Sequence, residues 1–385
     1  GSYRLVGFVT SGPAFMHVRE SFPDAPILKL GFTYPVPVEM VKAFRAQVDT
    51  LVVAEETEPL IENELKAAGL FDIHGKDILP RLGELSPAAL MPAIAKLLGE
   101  EPPPPAAYAK IDPFPRPPTM CPACPHMGVY YTLSRLRKRV QISGDIGCYT
   151  LGAGHPWNAL DTTISMGASM GIALGMDKAR SEETRDKAVV SVIGDSTFLH
   201  MGMQGLLDIV YNRGNVTTLL LDNRSTGMTG GQHHAGTGKD LHGLEAPRVD
   251  FAKLCEALGV KPERIKKVDP YKLPVLFKAI KDEIDVKEPS VIITDRPCVL
   301  SEFYDGFKPY AVVDNDCNGC GNCLNVGCPA ITVSRTGLRQ RPNMPDVELK
   351  FTTIDTAMCT GCHMCVDSCG PKAIVPLHTL KEAAQ

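Results

Sequence analysis

Short apolar runs alternate with segments of helical spacing along the first 100 residues. RLVGFVT, APILKLGF and DTLVVAEE are runs of strand length, whereas PVEMVKAFRAQV and EPLIENELKAAG repeat apolar residues at helical spacing. Strands that alternate with helices are typical of a parallel sheet. The pattern therefore predicts a small α/β domain over residues 1–100.

A proline-rich segment, EPPPPAAYAKIDPFPRPPT, interrupts this pattern at residues 101–119. Its eight prolines exclude a helix or a central strand, because proline lacks the backbone N–H that both require. The segment therefore predicts an extended linker and a domain boundary.

The alternation resumes over residues 120–302. VQISGDIG, AVVSVIGDS, NVTTLLLDN and PSVIITD have the composition of strands, and SMGASMGIALGMDKA, HMGMQGLLDIVYN and FAKLCEALG have helical spacing. This order predicts a doubly wound parallel sheet. In such sheets, ligands bind at the carboxyl ends of the strands.

Residues 303–385 differ in composition, with more cysteine, glycine and proline. We expect only very short strands there. Two similar half-units, around residues 317–331 and 359–374, form an internal repeat. The repeat predicts a small domain that folds around inorganic centres.

Composition changes this picture little. The chain of 385 residues is 44% hydrophobic and 22% charged, as is ordinary for a globular protein, and its net charge of −4 favours neither nucleic acid nor an anionic membrane as a partner. It has no apolar run of transmembrane length, and its N-terminus lacks the features of a secretory signal. We therefore expect a cytoplasmic protein.

Thirteen cysteines are many for a cytoplasmic chain, in which structural disulfides are rare. Eight of them lie within residues 317–369, in C-x-x-C spacing that favours metal or clusters. Cys255 lies in the helical pattern FAKLCEALG, where a buried core thiol is expected.

The C-terminal cysteines have the spacing of a two-cluster bacterial ferredoxin, C-x2-C-x2-C with a fourth cysteine further on, and this part of the chain resembles one. In that spacing three thiolates bind one cluster and the fourth binds the other. The prediction is two [4Fe–4S] clusters, one held by Cys317, Cys320, Cys323 and Cys369, and the other by Cys359, Cys362, Cys365 and Cys328. The alternative is two zinc sites.

Two departures from the ferredoxin pattern affect loop geometry. Four residues instead of three separate Cys323 from Cys328, and Gly370 stands between Cys369 and the following proline. Neither departure removes a ligand.

Asp195 and Asn223 follow two successive strands and are separated by the length of one crossover helix. Both should lie at the same edge of the sheet, where a carboxylate and an amide oxygen suit Mg²⁺. The sequence resembles the thiamine pyrophosphate motif. That resemblance implies Mg²⁺ on Asp195, Asn223 and the carbonyl of Ser225, with the diphosphate against Gly194 and Ser196. The alternative is a sheet-end turn without a ligand.

Taken together, CPACPHMG, SGDIGCYTLG, DTTISMGASMGIALGM, VIGDSTFLHMGMQGL, DNRSTGMTGGQ and the cysteine domain resemble 2-oxoacid:ferredoxin oxidoreductases, especially the alpha subunits of the indolepyruvate enzymes. The resemblance implies oxidative decarboxylation of an aryl 2-oxo acid, with coenzyme A as acyl acceptor and ferredoxin as electron acceptor. It also implies a transketolase C-terminal-like fold for residues 1–100 and a smaller partner subunit. The family's pyrimidine-binding domain, with its activating Glu, is expected from a missing segment or from another chain.

Relatives hold a further [4Fe–4S] cluster beside the thiamine. The matching positions here are Cys121, Cys124, Cys148 and Cys298, and the turn at Gly147 is implied in cofactor binding. The alternative is that Cys148 and Cys298 are core thiols and that Cys121 and Cys124 form a lone pair.

Four histidines lie near these motifs. The resemblance places His126 beside the thiamine as a catalytic candidate. His200 either serves the site or only packs near it. His233 and His234 either close over the substrate or are solvated.

Other functions remain open at this level. The substrate could be pyruvate or a branched-chain 2-oxo acid. The protein could instead be a non-oxidative thiamine-dependent decarboxylase, or an electron-transfer subunit with an inactive thiamine site.

Overall fold

The computed structural model describes residues 5–104, 114–341 and 344–382. Its contacts divide the chain into two units, Gly1–Pro115 and Arg116–Gln385. Residues 105–113 of the predicted linker lie outside the described residues, and residues 101–104 and 114–119 contain no helix or strand. The four predicted domain ranges stay predictions.

The first unit is a three-stranded parallel sheet flanked by helices. Its strands are β1 (Val6–Thr10), β2 (Ile27–Lys29) and β3 (Thr50–Ala54), in the order β2-β1-β3. Its helices are α1 (Gly12–Ser21), α2 (Val38–Arg45), α3 (Leu60–Ala67) and α4 (Pro87–Leu97). Two apolar clusters bury the two faces, and the predicted α/β fold of this part is confirmed.

The second unit contains a six-stranded parallel sheet. Its strands are β4 (Val140–Gly144), β5 (Thr162–Thr163), β6 (Ala188–Gly194), β7 (Val216–Asp222), β8 (Ile265–Val268) and β9 (Ser290–Asp295). They stand in the order β5-β4-β6-β7-β9-β8, and every pair is parallel. The doubly wound sheet is therefore confirmed.

Helices cover both faces of this sheet. They are α5 (His126–Leu136), α6 (Ala168–Lys178), α7 (Asp195–Thr197), α8 (Met203–Tyr211), α9 (Phe251–Ala257) and α10 (Leu273–Ile284). The central strands are buried up to their carboxyl ends, so residues that follow these ends are held in place. Gly194 pairs with Leu221 across β6 and β7, which brings the predicted ligands that follow these strands to one edge.

The cysteine-rich part was predicted to have only very short strands, and this was wrong. Besides the short pair β10 (Tyr310–Val312) and β13 (Ile374–Pro376), it has a hairpin of two eleven-residue strands, β11 (Ile331–Arg341) and β12 (Met344–Ile354). The β-branched ITV and the alternating VELKF favour strands, but the surrounding cysteine, glycine and proline hid this signal. Two helices, α11 (Met364–Ser368) and α12 (Leu377–Glu382), complete this part.

Within the second unit, the cysteine-rich part and the sheet part share one core. Val326 and Met364 are buried in the same apolar cluster as Met127 and Leu133 of α5. The backbone N–H of Leu273, at the start of α10, donates to the Asp367 carboxylate at 3.1 Å. This packing fixes the cysteine loops relative to the edge of the sheet.

Among the described residues, no helix has the length and apolar character needed to cross a membrane.

Candidate functional site

Three oxygen atoms converge where β6 and β7 end. The side-chain oxygen of Asn223 lies 2.9 Å from the carbonyl oxygen of Ser225 and 3.1 Å from Asp195 Oδ1. All three residues are buried. Turning the amide by 180° would convert these contacts into hydrogen bonds, but the oxygen-inward arrangement is the one that a divalent cation requires. The residues predicted to bind Mg²⁺ therefore have a donor set that fits it.

The helix after Gly194 begins at this oxygen cluster. It runs through α7 and a π-helical turn, Phe198–Gly202, into α8. The first turn of a helix presents unpaired backbone N–H groups, which favour an anion such as a diphosphate. A Cβ on Gly194 would lie 2.6 Å from the Tyr149 ring, so only glycine lets the chain pass there.

A cavity of about 160 Å³ opens at this edge and brings together all the residues predicted to bind the thiamine cofactor. It is lined by Gly147, Gly194, Asp195, Ser196, Asn223 and Ser225, together with His126, Cys148, Tyr149, Met166 and Met228. Such a mixture of oxygen donors and apolar side chains fits a charged group joined to a ring system.

His126 is buried at the start of α5 and meets the Tyr149 ring edge-on, with ring centroids 5.6 Å apart. Burial lowers the pKa of His126 to about 4, and the nearby Asp195 carboxylate only partly opposes this effect. The ring is therefore neutral at physiological pH and can accept or donate one hydrogen bond.

Asp145 and Tyr149 support the walls of the cavity and were not predicted from the sequence. The Asp145 carboxylate is fully buried and accepts the backbone N–H of Gly167 at 2.9 Å and that of Ser169 at 3.2 Å. It thus fixes the turn that brings Met166 to the cavity. Tyr149 packs against Gly194 and donates its hydroxyl to the Ile146 carbonyl at 2.9 Å. An aspartate directly after a buried strand, in SGDIG, was the available signal for Asp145.

The other three candidate histidines differ in their burial and in their contacts. His234 is buried with Nε2 3.2 Å from Asp195 Oδ2, so it is not solvated. His233 is half-buried, 3.6 Å from Glu302. His200 is exposed and bonds the Ser196 carbonyl at 2.6 Å.

Cys121, Cys124, Cys148 and Cys298 come together beside the cavity, although they are distant in sequence. A methyl group placed on Gly227 would lie 3.7 Å from Cys148 Sγ, 3.9 Å from Cys298 Sγ and 3.6 Å from the Asn223 amide nitrogen. Burial raises the pKa of Cys124, and repulsion from the other three thiols adds to this effect. The backbone N–H of Cys298 also donates to the Asn223 carbonyl at 2.8 Å, which ties this quartet to the oxygen cluster.

The eight C-terminal cysteines line two separate small cavities, each with one of the predicted quartets. The first cavity is lined by Cys317, Cys320, Cys323 and Cys369. The second is lined by Cys359, Cys362, Cys365 and Cys328. The crossed placement of Cys369 and Cys328 is the arrangement that two-cluster ferredoxin spacing requires.

Several backbone N–H groups point at these sulfur atoms. Tyr310 N–H donates to Cys359 Sγ at 3.4 Å, and Ala373 N–H donates to Cys369 Sγ at 3.3 Å. Donors of this kind stabilise thiolates that carry iron. Burial raises the pKa of Cys362 to about 12, so its thiolate needs a bound cation. Among the described residues, no group of three or more His, Cys, Asp or Glu side chains is placed to hold a single metal ion.

The sulfur quartets are linked through the chain itself. Pro122 and Ala123, which lie between the two cysteines of the C-x-x-C, line the cavity of the Cys328 quartet. The Ala123 N–H also donates to Cys328, while Tyr271 donates its hydroxyl to the Ala123 carbonyl at 2.5 Å. The Cys328 quartet therefore lies next to the Cys121 quartet.

A glycine in the lengthened Cys323–Cys328 loop packs against the sheet part, which predicts a substitution effect. Gly327 has a φ of +76°, and a Cβ there would overlap the ring of Trp157, a buried residue of the sheet part. We expect Gly327→Ala to lower the free energy of unfolding by about 2–4 kcal/mol, from left-handed strain plus overpacking. The thermal midpoint, measured without oxygen, would fall by several degrees.

Gly370→Ala is the matched control. Gly370 also adjoins a cluster cysteine, but in the described structure nothing lies within 4 Å of its potential Cβ, and its φ is not positive. Equal shifts in the two variants would contradict the role given to Gly327.

Comparison with known proteins agrees with this arrangement. Residues 145–294 match the family described as thiamine pyrophosphate enzyme, C-terminal TPP binding domain, and residues 310–370 match the 4Fe-4S dicluster domain. The chain is 35% identical to indolepyruvate oxidoreductase subunit IorA of Thermococcus kodakarensis, and 36% identical to the subunit of that name in Methanothermobacter thermautotrophicus. These alignments cover 97% and 98% of this chain.

The chain spans about 60% of the length of these curated relatives. A solved structure of 2-oxoglutarate:ferredoxin oxidoreductase from Magnetococcus marinus is also similar, with a TM-score of 0.42 and 17% identity over 50% of this chain and 74% of that one. Over nearly its whole length, the chain is therefore similar to the IorA subunits of indolepyruvate oxidoreductase, and its two matched segments correspond to a thiamine pyrophosphate-binding domain and a 4Fe-4S dicluster domain.

Proposed function

We propose that this chain forms the thiamine- and cluster-carrying part of a cytoplasmic oxidoreductase that decarboxylates an aryl 2-oxo acid of the indolepyruvate type. The 2-oxo acid and coenzyme A would give acyl-CoA and CO₂, while two electrons reduce two ferredoxins and one proton is released. One observation carries the proposal: the Asn223 end of the oxygen cluster and the Cys148–Cys298 pair meet around Gly227. Two-electron chemistry and a one-electron carrier would thus be neighbours.

Bound thiamine pyrophosphate supplies carbanion chemistry at a 2-oxo carbon. The residues of this chain would hold it at the edge of the sheet. Asp195, Asn223 and the Ser225 carbonyl fit Mg²⁺, and Ser196 and the helix that follows fit the diphosphate. His126 is neutral and faces the same cavity, where it can orient a polar group of the substrate or move one proton.

The three sulfur quartets fit three [4Fe–4S] clusters in series. Electrons would pass from the Cys121 quartet to the Cys328 quartet and then to the Cys317 quartet. The order follows from contacts: Pro122 and Ala123 join the first two, and Cys320 of the last is exposed. An exposed ligand at the end of the series suits transfer to ferredoxin.

The relatives' names describe an oxidoreductase subunit, which supports a smaller partner subunit for this chain. We propose that the pyrimidine half of the cofactor, and the glutamate that activates it, come from a further domain or another chain. The choice of an aryl substrate rests on the relatives' names.

An anaerobic substrate panel with the complete complex tests the proposal. We expect dye or ferredoxin reduction that depends on coenzyme A, fastest with indolepyruvate, and about twelve irons per chain. Faster turnover of pyruvate or of a branched-chain acid would change the substrate class. Aldehyde formed without dye reduction would indicate a decarboxylase, and a complex that retains no thiamine would indicate an electron-transfer subunit.

A further inference from the structure

We propose that His234 is a positioning residue of the metal site. It donates its Nε2–H to the Asp195 carboxylate and thereby sets the affinity of the site for a divalent cation. This inference rests on the proposed function, because it assigns a task within the Mg²⁺–diphosphate site.

The hydrogen bonds of His234 determine which ring nitrogen carries the proton. The backbone N–H of Gly236 donates to Nδ1 at 3.1 Å. A ring nitrogen that accepts a hydrogen bond carries no proton, so the neutral ring has its proton on Nε2. The side chain of His234 is fully buried, so water does not take the place of a protein acceptor.

Nε2 can reach a carboxylate acceptor. It lies 3.2 Å from Asp195 Oδ2, and no well-aligned hydrogen bond satisfies it within the described ranges. A buried N–H without a partner is costly, which favours alignment with the carboxylate. The other carboxylate oxygen, Oδ1, accepts the Ser196 N–H at 2.8 Å. With one donor on each oxygen, the remaining lone pairs of Asp195 can face Asn223 and a cation.

The loop around His234 keeps the ring in place. Thr237 N–H donates to the His234 carbonyl at 2.8 Å, and Val249 N–H donates to the Ala235 carbonyl at 2.9 Å. Arg248 Nε also donates to the Gly236 carbonyl at 2.9 Å. The donor that approaches Asp195 is therefore preorganised, as partners of metal ligands usually are.

The neighbouring histidine provides a matched control. His233 belongs to the same loop, but its nearest acidic group is Glu302 at 3.6 Å, in a half-exposed contact. Replacing His233 changes the composition of the loop without touching Asp195.

The test measures Mn²⁺ binding to the full chain, loaded with its clusters, in the presence of thiamine pyrophosphate. The free Mn²⁺ signal in electron paramagnetic resonance gives the affinity without any turnover. We expect His234→Phe, which keeps an aromatic ring at this position but lacks the donor, to weaken Mn²⁺ binding about 10–100-fold. The Mn²⁺ affinity of His234→Gln, whose amide can donate to Asp195, should stay within a few-fold of the wild-type value. The Mn²⁺ affinity of His233→Ala should equal the wild-type value.

Iron content and the thermal midpoint establish that each variant is folded. If the larger phenylalanine ring disrupts packing, His234→Met takes its place in the test. Equal affinity in His234→Phe and the wild type would overturn the role of His234 and leave the proposed function intact. Equal weakening in the Phe and Gln variants would also overturn it, because packing alone would then explain the loss. A wild-type chain that binds no Mn²⁺ with the cofactor would instead contradict the proposed metal site.

Discussion

Replacing Cys121 by serine is expected to remove four of about twelve irons per chain and to abolish reduction of ferredoxin by a 2-oxo acid. Cys121 is part of the quartet that meets the oxygen cluster around Gly227, so in the proposed function this quartet would be the first carrier of electrons that leave the cavity. A cluster that loses one of four thiolates in a partly exposed position is easily lost. Iron analysis and anaerobic dye reduction measure the two effects.

The C-terminal clusters should survive this substitution. Their eight cysteines line two other cavities, and neither cavity is lined by Cys121. Dithionite-reduced variant protein should therefore still show the spectrum of two interacting clusters. Full iron content in Cys121→Ser would mean that the quartet holds no cluster.

Cys255→Ser is the control for the loss of a thiol as such. Cys255 is fully buried in α9 within an apolar cluster, and that cluster contains no other cysteine among the described residues. Its replacement should cost some stability and leave both iron content and activity unchanged. Loss of iron in this variant would show that damage to the fold, and not ligand removal, releases the clusters.

The parts of the fold that could be predicted are those in which short-range spacing dictates geometry. Two adjacent parallel strands joined by one helix must place Asp195 and Asn223 at one edge, and the structure brings them into contact. Cysteines with only two residues between them must share a loop, and each predicted C-terminal quartet lines one cavity. These predictions depend on chain connectivity more than on the details of packing.

Helices and strands whose apolar residues do not repeat at a clear period were not predicted from the sequence. Helix α5 starts at His126, directly after the cysteine loop, and is buried on nearly all sides, so it lacks an amphipathic pattern. The strand β8 has only four residues, two of them lysines, at the edge of the sheet. The hairpin β11–β12 is largely exposed, and polar residues interrupt its alternation.

Contacts across long sequence distances were beyond prediction from residue patterns. Nothing in GGQHHAGTG distinguishes His234 from His233, yet only one of them lies beside Asp195. The difference depends on the folded conformation of the loop, which is held by hydrogen bonds from Arg248 and Val249. Similarly, the use of Gly327 depends on Trp157, which is far from it in sequence.

Replacing Asp195 by alanine should lower kcat/KM about 1000-fold, because metal ligation supplies several kcal/mol of transition-state stabilisation. The variant should also retain little thiamine pyrophosphate after gel filtration, since the Asn223 and Ser225 oxygens alone offer no anionic charge to Mg²⁺. Fluorescence of oxidised thiamine measures the retained cofactor, and dye reduction measures turnover. The iron of the two C-terminal clusters should be unchanged, because Asp195 lines neither of their cavities.

Stability of the metal-free protein should change in the opposite direction. Burial raises the pKa of Asp222 to about 7, and repulsion from Asp195 and Asp295 adds to this effect. Asp195→Asn removes this charge but keeps an oxygen acceptor for its neighbours, so the apo form of this variant should melt at a higher temperature than the apo wild type. Asp208→Asn, an exposed carboxylate on α8, should change neither activity nor melting. Full retention of thiamine pyrophosphate by Asp195→Ala would contradict the assignment of Asp195 as a metal ligand, and a lower melting temperature of apo Asp195→Asn would contradict the repulsion between Asp195 and Asp222.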